Sequence, residues 1–391
     1  MNTKSLSVLV VVTIVVVIAA VSLTQTKVTP LKKGKLFPQL ATTIDQVKTV
    51  NVQTNTETIT MIRDESWNWQ MQEKHNYPVE TDKVNNLLLA MTELTILETK
   101  TSNSELYSKV GVDDVSAKDS QSILLTLKTD SDTLASLIIG NSQAAKIDST
   151  RNEIYVRKPD DKQVWLALGK LSVEKQLTDW LERQIIDINN DKIRRVAINE
   201  NILIFKDTPD DEEFQLADLP TNGTVKMPYV LKNIATTLSN LEFDDVIEIG
   251  KLELQPETTA VFTTFDGLEV TMQVAKQNDK NYAMFAAKFN SEAVLPIEND
   301  SKEEDDSKSD EKPDVHQKIK SLNTKFSGWV YELSEYKVDD LAKKREELIT
   351  ITEPEEELAT PTTSILEELG TPVTSNPFTT DLPMPFSMPP K

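Results

Sequence analysis

At Ile193 the chain begins to repeat itself. Ile193, Val196 and Ile198 stand as Val47, Val50 and Val52 do near the start. Ile202-Leu203-Ile204-Phe205-Lys206 follows as Ile59-Thr60-Met61-Ile62-Arg63 does, and Glu213-Phe214-Gln215-Leu216 takes the place of Asn68-Trp69-Gln70-Met71. These runs alternate apolar with polar residues, the pattern of half-buried strands. The period then changes in both halves. Val84, Leu87, Leu88, Met91 and Leu94 share their spacing with Leu231, Ile234, Ala235, Leu238 and Leu241, which gives one apolar helix face in each half. Thr81 is the expected N-cap of the first helix, and Pro228 sits near the start of the second, where its missing N–H costs little.

The order continues to agree. Ile123–Leu127 and Leu134–Ile139 flank a turn at Thr129-Asp130-Ser131-Asp132, while Val261–Phe265 and Leu268–Met272 flank Asp266-Gly267, a compact hairpin signal. Ile154–Arg157 with Val164–Leu168 parallels Tyr282–Phe285 with Trp329–Leu333. A helix over about Val173 to Gln184, with Leu177, Trp180 and Leu181 on one side, is expected to close the first half. One over about Val338 to Leu348 is expected to close the second. The expected fold class is therefore α+β: an internally duplicated unit of antiparallel strands with amphipathic helices.

Before the repeat lies Leu6 to Leu23, an uncharged and almost wholly apolar run. At 1.5 Å per residue it extends about 27 Å as a helix, close to the roughly 30 Å of a bilayer's hydrocarbon core. One transmembrane helix is expected, so the chain has a membrane as its first partner. A cleaved signal peptide is the rival reading, since Ala20-Val21-Ser22 offers small residues. The run nevertheless exceeds the apolar core of about 7–15 residues found in such peptides. Lys4 favours a cytoplasmic amino terminus, while Lys27, Lys32, Lys33 and Lys35 argue the opposite way, so charge leaves the orientation open. The expected map is a tail at 1–5, the anchor at 6–23, a polar linker at 24–43 and the two units at 44–188 and 189–350. An acidic insertion at 299–314 and an acidic, Pro/Thr-rich tail at 351–391 are too polar to bury a core, and are expected to be disordered.

Chemistry is harder to find. Acidic residues outnumber basic ones by 63 to 42, for a net charge of −21, which disfavours nucleic acid as a partner. There is no cysteine, hence no disulfide and no thiolate ligand. The nine glycines include no two near neighbours, so a dinucleotide fingerprint, a P-loop and a nucleophile elbow all lack the glycines they need. Only His75 and His316 are present. His75 falls in a strand-to-helix connection and reads as an exposed loop residue, although a triad assembled in space around it stays open. Asp207–Glu213 lacks the alternating ligands and turn glycine of an EF-hand loop and reads as a solvated acidic turn. Of the five tryptophans, Trp69, Trp165, Trp180 and Trp329 are expected in the core, and Trp67 is the one the pattern places least firmly. No catalytic, cofactor-binding or metal-ligating residue is assigned, and no cofactor.

The apolar start, Trp67-Asn68-Trp69 and the run from Tyr77-Pro78-Val79-Glu80 to Leu88 resemble a bacterial family catalogued as domain of unknown function 4340. Leu137-Ile138-Ile139-Gly140, Ile154–Arg157 and Gly328-Trp329-Val330-Tyr331-Glu332-Leu333 extend the resemblance over most of residues 1 to 350. It implies a single-pass protein of the bacterial cytoplasmic (inner) membrane with an extracytoplasmic body, of a kind often encoded with ABC-type transporter or gliding-motility-type components. It supplies no catalytic residue. The function expected is a non-catalytic accessory protein binding a protein partner, with ABC-type transporter components as candidates. The alternatives are an envelope module that binds glycan or wall polymer and, after that, an extracytoplasmic hydrolase.

Overall fold

A computed structural model describes residues 34–146, 148–294 and 315–351. The expected anchor at 6–23, the insertion at 299–314 and the tail from 352 onward lie outside the described residues. Among those described, no helix is long and apolar enough to cross a membrane. The fold is a mixture of helices and antiparallel strands, as the periodicities imply.

The first half contributes β1 (Thr49–Gln53), β2 (Thr58–Arg63), β3 (Trp69–Met71), β4 (Tyr77–Pro78), helix α1 (Thr81–Glu93) and β5 (Thr95–Thr99). It continues with β6 (Ile123–Lys128), β7 (Thr133–Ala144), β8 (Asn152–Arg157) and β9 (Val164–Gly169). The strands form one sheet in the order β4-β3-β2-β1-β6-β7-β8-β9-β5. After β10 (Gln184–Ile186) the second half contributes β11 (Ile193–Ile198), β12 (Ile202–Phe205), β13 (Gln215–Leu216), β14 (Gly223–Val225), helix α2 (Pro228–Thr236), β15 (Leu241–Glu242) and β16 (Asp245–Glu248). Then come β17 (Thr258–Thr264), β18 (Leu268–Gln277), β19 (Lys280–Phe289), helix α3 (Val315–Phe326), β20 (Trp329–Leu333) and β21 (Ile349–Ile351). Its main sheet runs β13-β12-β11-β17-β18-β19-β20-β16, the order of the first without a strand in the place of β4, while β14 pairs β21 in a separate two-stranded sheet.

Local chemistry sets each element. On α1 the buried Val84, Leu87, Leu88 and Met91 form the expected stripe, and Asp82 sits in the first turn, where the helix dipole favours it. Thr81 is already helical. Glu80 occupies the cap position, and neither residue caps with its side chain. Pro228 opens α2, but that helix stops at Thr236, so Leu238 and Leu241 are buried beyond its end, Leu241 as part of a strand. In the β17–β18 hairpin Gly267 takes φ +87°, a conformation that an L side chain resists.

The two expected closing helices are corrected by the structure. Instead of a helix from Val173 to Gln184 there is one 3₁₀ turn, Leu177–Trp180, and then extended chain. Instead of one from Val338 to Leu348 there are three short turns, Glu335–Val338, Asp339–Ala342 and Arg345–Leu348, and then β21. In both halves the chain returns as a strand. Leu181 bridges Val79 just as β21 pairs β14, and Glu80 N–H to Trp180 C=O corresponds to Lys226 N–H to Leu348 C=O. Backbone pairing of that returning strand outweighs the weak helical preference of a short amphipathic stretch.

The expected unit boundaries shift for a similar reason. Lys35 bridges Thr95 and Leu36 N–H donates to Leu94 C=O, while Leu36 and Leu40 are buried, so 34–43 is folded onto the first sheet and is no linker. Its counterpart is β10, which pairs β15 in the second half. Each half thus begins on a short entry strand and ends on a return strand. Between the halves these two are one stretch: Leu181 bridges β4's neighbour Val79, and three residues later Gln184 pairs Glu242. A single hydrophobic core extends through both sheets.

Candidate binding groove

The halves meet around Tyr77. Its ring is fully buried and stands edge-on to Trp329 (centroids 4.9 Å apart), Phe243 (5.4 Å) and Tyr331 (6.5 Å). Edge-to-face contacts of this kind add to the burial of large rings. Polar contacts ring the cluster. Lys74 Nζ lies 2.5 Å from Asp245 Oδ1, His75 Nδ1 lies 3.6 Å from Glu248 Oε2, and Lys325 Nζ lies 2.7 Å from Glu182 Oε1.

Helix α3 roofs this junction. Val315, Ile319, Leu322 and Phe326 recur at helical spacing and pack onto the core. Asn323 then clamps it to the sheet: its Oδ1 accepts from Ala287 N–H (2.8 Å) and its Nδ2 donates to Ala287 C=O (2.7 Å), so the side-chain amide acts as a strand partner for β19. Beneath the opposite face runs a groove of about 500 Å³, lined by Tyr77, Pro78, Glu182, Gln317, Lys320 and Trp329 among others. Its floor is aromatic and its rim is polar. Lys325 is tied to Glu182, whereas Lys320 is exposed and has no ion-pair partner among the described residues.

Burial governs the two tyrosine hydroxyls beside the groove. Burial, with Tyr331 and Glu182 nearby, pushes the Tyr77 hydroxyl far above the ordinary phenol range, and burial raises Tyr331 likewise. Both stay protonated at neutral pH. The Tyr331 hydroxyl donates to Lys325 C=O (3.0 Å) and that of Tyr77 to Glu182 C=O (3.3 Å).

The residues weighed from sequence fall elsewhere. His75 is a half-exposed loop residue at φ +52°, facing Glu248 across the junction. In the acidic turn, the Asp211 carboxylate accepts the backbone N–H groups of Thr208 (2.8 Å) and Asp207 (3.1 Å), and these bonds hold it below the usual carboxylate range. Among the described residues no three His, Asp or Glu converge as a metal site. Trp69 and Trp180 are buried as expected, Trp165 and Trp329 are only half-buried against the core, and Trp67 is exposed. The strand-by-strand reading leaves 315–328 unassigned, and so misses the helix that makes the groove. The spacing of Val315, Ile319, Leu322 and Phe326 carries that signal.

Residues 69–258 match the model of a family described as Domain of unknown function (DUF4340). The match runs from β3 to the first residue of β17, across the junction. Comparison with curated proteins and with solved structures gave no match.

Proposed function

We propose that this chain, which carries a DUF4340-family domain at residues 69–258, is a non-catalytic, membrane-anchored accessory protein that binds a protein partner. The apolar run 6–23 is its single-pass anchor in the bacterial cytoplasmic membrane, and the body is extracytoplasmic. The two halves descend from duplication of one α+β unit, a reading supported by their common strand order. The partner is a component of an ABC-type transport or gliding-motility-type assembly.

One observation carries the binding reading. The groove under α3 joins an aromatic floor to a lysine without an ion-pair partner among the described residues, at a connection where the second half departs from the first. In the first half the β8–β9 connection is six residues, Lys158 to Gln163, whereas the β19–β20 connection holds α3. An extended peptide segment with an apolar side chain for the floor and a carboxylate for Lys320 suits such a groove. Glycan stacking suits it less, because the Tyr77 ring is fully buried among Phe243, Trp329 and Tyr331.

Site-specific photocrosslinking tests this in intact membranes. A crosslinker at Ser321 or Gln317 is expected to capture one discrete protein, while one at exposed Leu203 on the far edge of the second sheet captures none. Labelling that is equal at all three positions overturns the groove as the partner site. Retention of the chain on isolated wall material, with no protein captured, favours the glycan reading instead.

A further inference from the structure

Outside the groove, one surface feature is built in a way that packing alone does not explain. Trp67 is 53 % exposed and adopts φ +67°, a region that costs a bulky side chain about 1–2 kcal/mol. The turn that holds it there is fixed. Asp64 C=O accepts the Trp67 N–H (3.1 Å), and the Asp64 carboxylate accepts the Asn68 N–H (2.8 Å), the Asn68 amide (3.3 Å) and the Gln70 amide (3.2 Å). The indole is therefore presented outward by a rigid turn.

Two cations lie against it. Lys48 Nζ is 5.0 Å and Arg63 Cζ is 4.9 Å from the Trp67 ring centroid, and the Arg63 guanidinium also lies 4.7 Å from the Trp69 ring. In a chain of net charge −21, neither cation comes within ion-pair distance of a carboxylate among the described residues. Arg63 Nε is buried without a hydrogen-bond partner, and among the described residues its guanidinium makes one bond, a long one (3.5 Å) to Asp45 C=O. Burial lowers its pKa, with the Asp45 charge acting in the opposite sense. A half-desolvated arginine without a counterion is costly in isolation and favours an incoming anion.

We propose that Trp67, Lys48 and Arg63 form a contact site through which the folded body rests on the phospholipid headgroup layer. This rests on the membrane-anchored reading above. Indole rings partition to the headgroup level, and adjacent lysine and arginine pair with lipid phosphates. The tether permits it. Gly34 follows Leu23 by eleven residues, at most about 40 Å of chain, and Lys27, Lys32 and Lys33 in that interval, with Lys35 just past it, have the same sign. The net negative charge keeps other faces away from an anionic surface, so the contact is local and oriented.

The test uses the full chain reconstituted in vesicles of phosphatidylcholine with phosphatidylglycerol. Flotation reads the anchor, and quenching of tryptophan emission by lipids spin-labelled at the headgroup reads the contact. Flotation with quenching that falls clearly in W67F, and that falls in K48E while Trp67 is retained, is the expected result. Flotation with equal quenching in wild type, W67F and K48E overturns the headgroup contact and leaves the anchor intact. Failure to float overturns the anchored reading, and the contact with it. Inorganic phosphate and a phosphopeptide are added to the same vesicles as competitors. If either releases the quenching at millimolar concentration, the site serves soluble phosphate and the lipid assignment is overturned.

Discussion

The two main sheets follow a similar strand order yet differ in the charges they bury. On the first sheet the buried charge is a cation, Arg157 on β8. It donates to Val112 C=O and pairs with Asp114 Oδ1 at 2.6 Å while stacking on Tyr107. The second half buries both signs: Lys206, just past β12 and over the Phe214 ring, and Glu269 on β18, held by Lys288 Nζ at 2.8 Å and Asn290 Nδ2 at 2.7 Å. The first sheet also has a break in register between Ile139 and Ser142, whereas β18 and β19 pair without interruption over ten residues. What the halves hold in common is the path of the chain and its apolar stripes. The polar detail differs, and so do connections, among them the one that holds α3. The two halves thus agree where the hydrophobic pattern specifies the path and differ where charge and loop length allow.

The junction offers the strongest way to break that comparison. Tyr77→Ala removes a fully buried ring that touches three others and is expected to cost about 3–5 kcal/mol, read as a lower urea midpoint. Because one core runs through both sheets, near-UV and far-UV signals should shift together. Two separated transitions would show that the halves fold independently.

Glycines provide a finer contrast. Gly140 lies in the register break, and a Cβ there would meet the Val110 and Gly111 carbonyl oxygens and Val112 Cγ1. Gly140→Ala is expected to cost about 2 kcal/mol through overpacking. Gly250 in the second half has φ +88° with open space around it, so Gly250→Ala should cost only about 1 kcal/mol, from backbone strain. Equal costs would mean that the register break is more pliable than its packing implies.

Glu269 makes the comparison depend on pH. Burial opposes its ionisation, but the Lys288 and Asn290 bonds prevail and hold its carboxyl below its ordinary value of 4.5. A folded-state value below the unfolded one contributes stability above the unfolded value, and that contribution is lost as pH falls through the folded one. Denaturation midpoints of wild type and Glu269→Gln should therefore differ most near neutral pH and converge as pH drops below 4.5. A constant gap down to pH 3 would mean the pair is not what fixes the ionisation. The smallest effect is expected for Lys74→Ala or Asp245→Ala across the junction. That pair is partly exposed, and a double-mutant cycle should give about 0.5 kcal/mol, falling in salt.

Much of the scaffold was legible in the residues because it follows from periodicity. The stripe of Val84, Leu87, Leu88 and Met91 admits a helix and little else, and Asp266-Gly267 between two alternating runs admits a tight hairpin. Leu177, Trp180 and Leu181 misled because a 3₁₀ turn followed by a strand presents the same spacing over so few residues. Lys35 and Leu36 form an entry strand through one bridge and its flanking bonds, too short to leave an alternating pattern. The groove was illegible for another reason. Tyr77, Glu182 and Lys320 are separated by more than a hundred residues at each step, and only the folded junction brings them together.

The stretch from Trp180 to Ile186 gives the molecule no natural point of partition. Glu182 N–H donates to Pro78 C=O, and one residue on, Arg183 C=O accepts from Phe243 N–H while its Nε donates to Phe243 C=O. A protease cut or a truncation there takes the last strand from one half or the first strand from the other, and strips the cover from Tyr77 in either case. The chain behaves as a splice in which neither piece is a finished product, so excised halves should be recovered as aggregates, whereas the undivided body from Gly34 to Ile351 remains the smallest unit worth isolating.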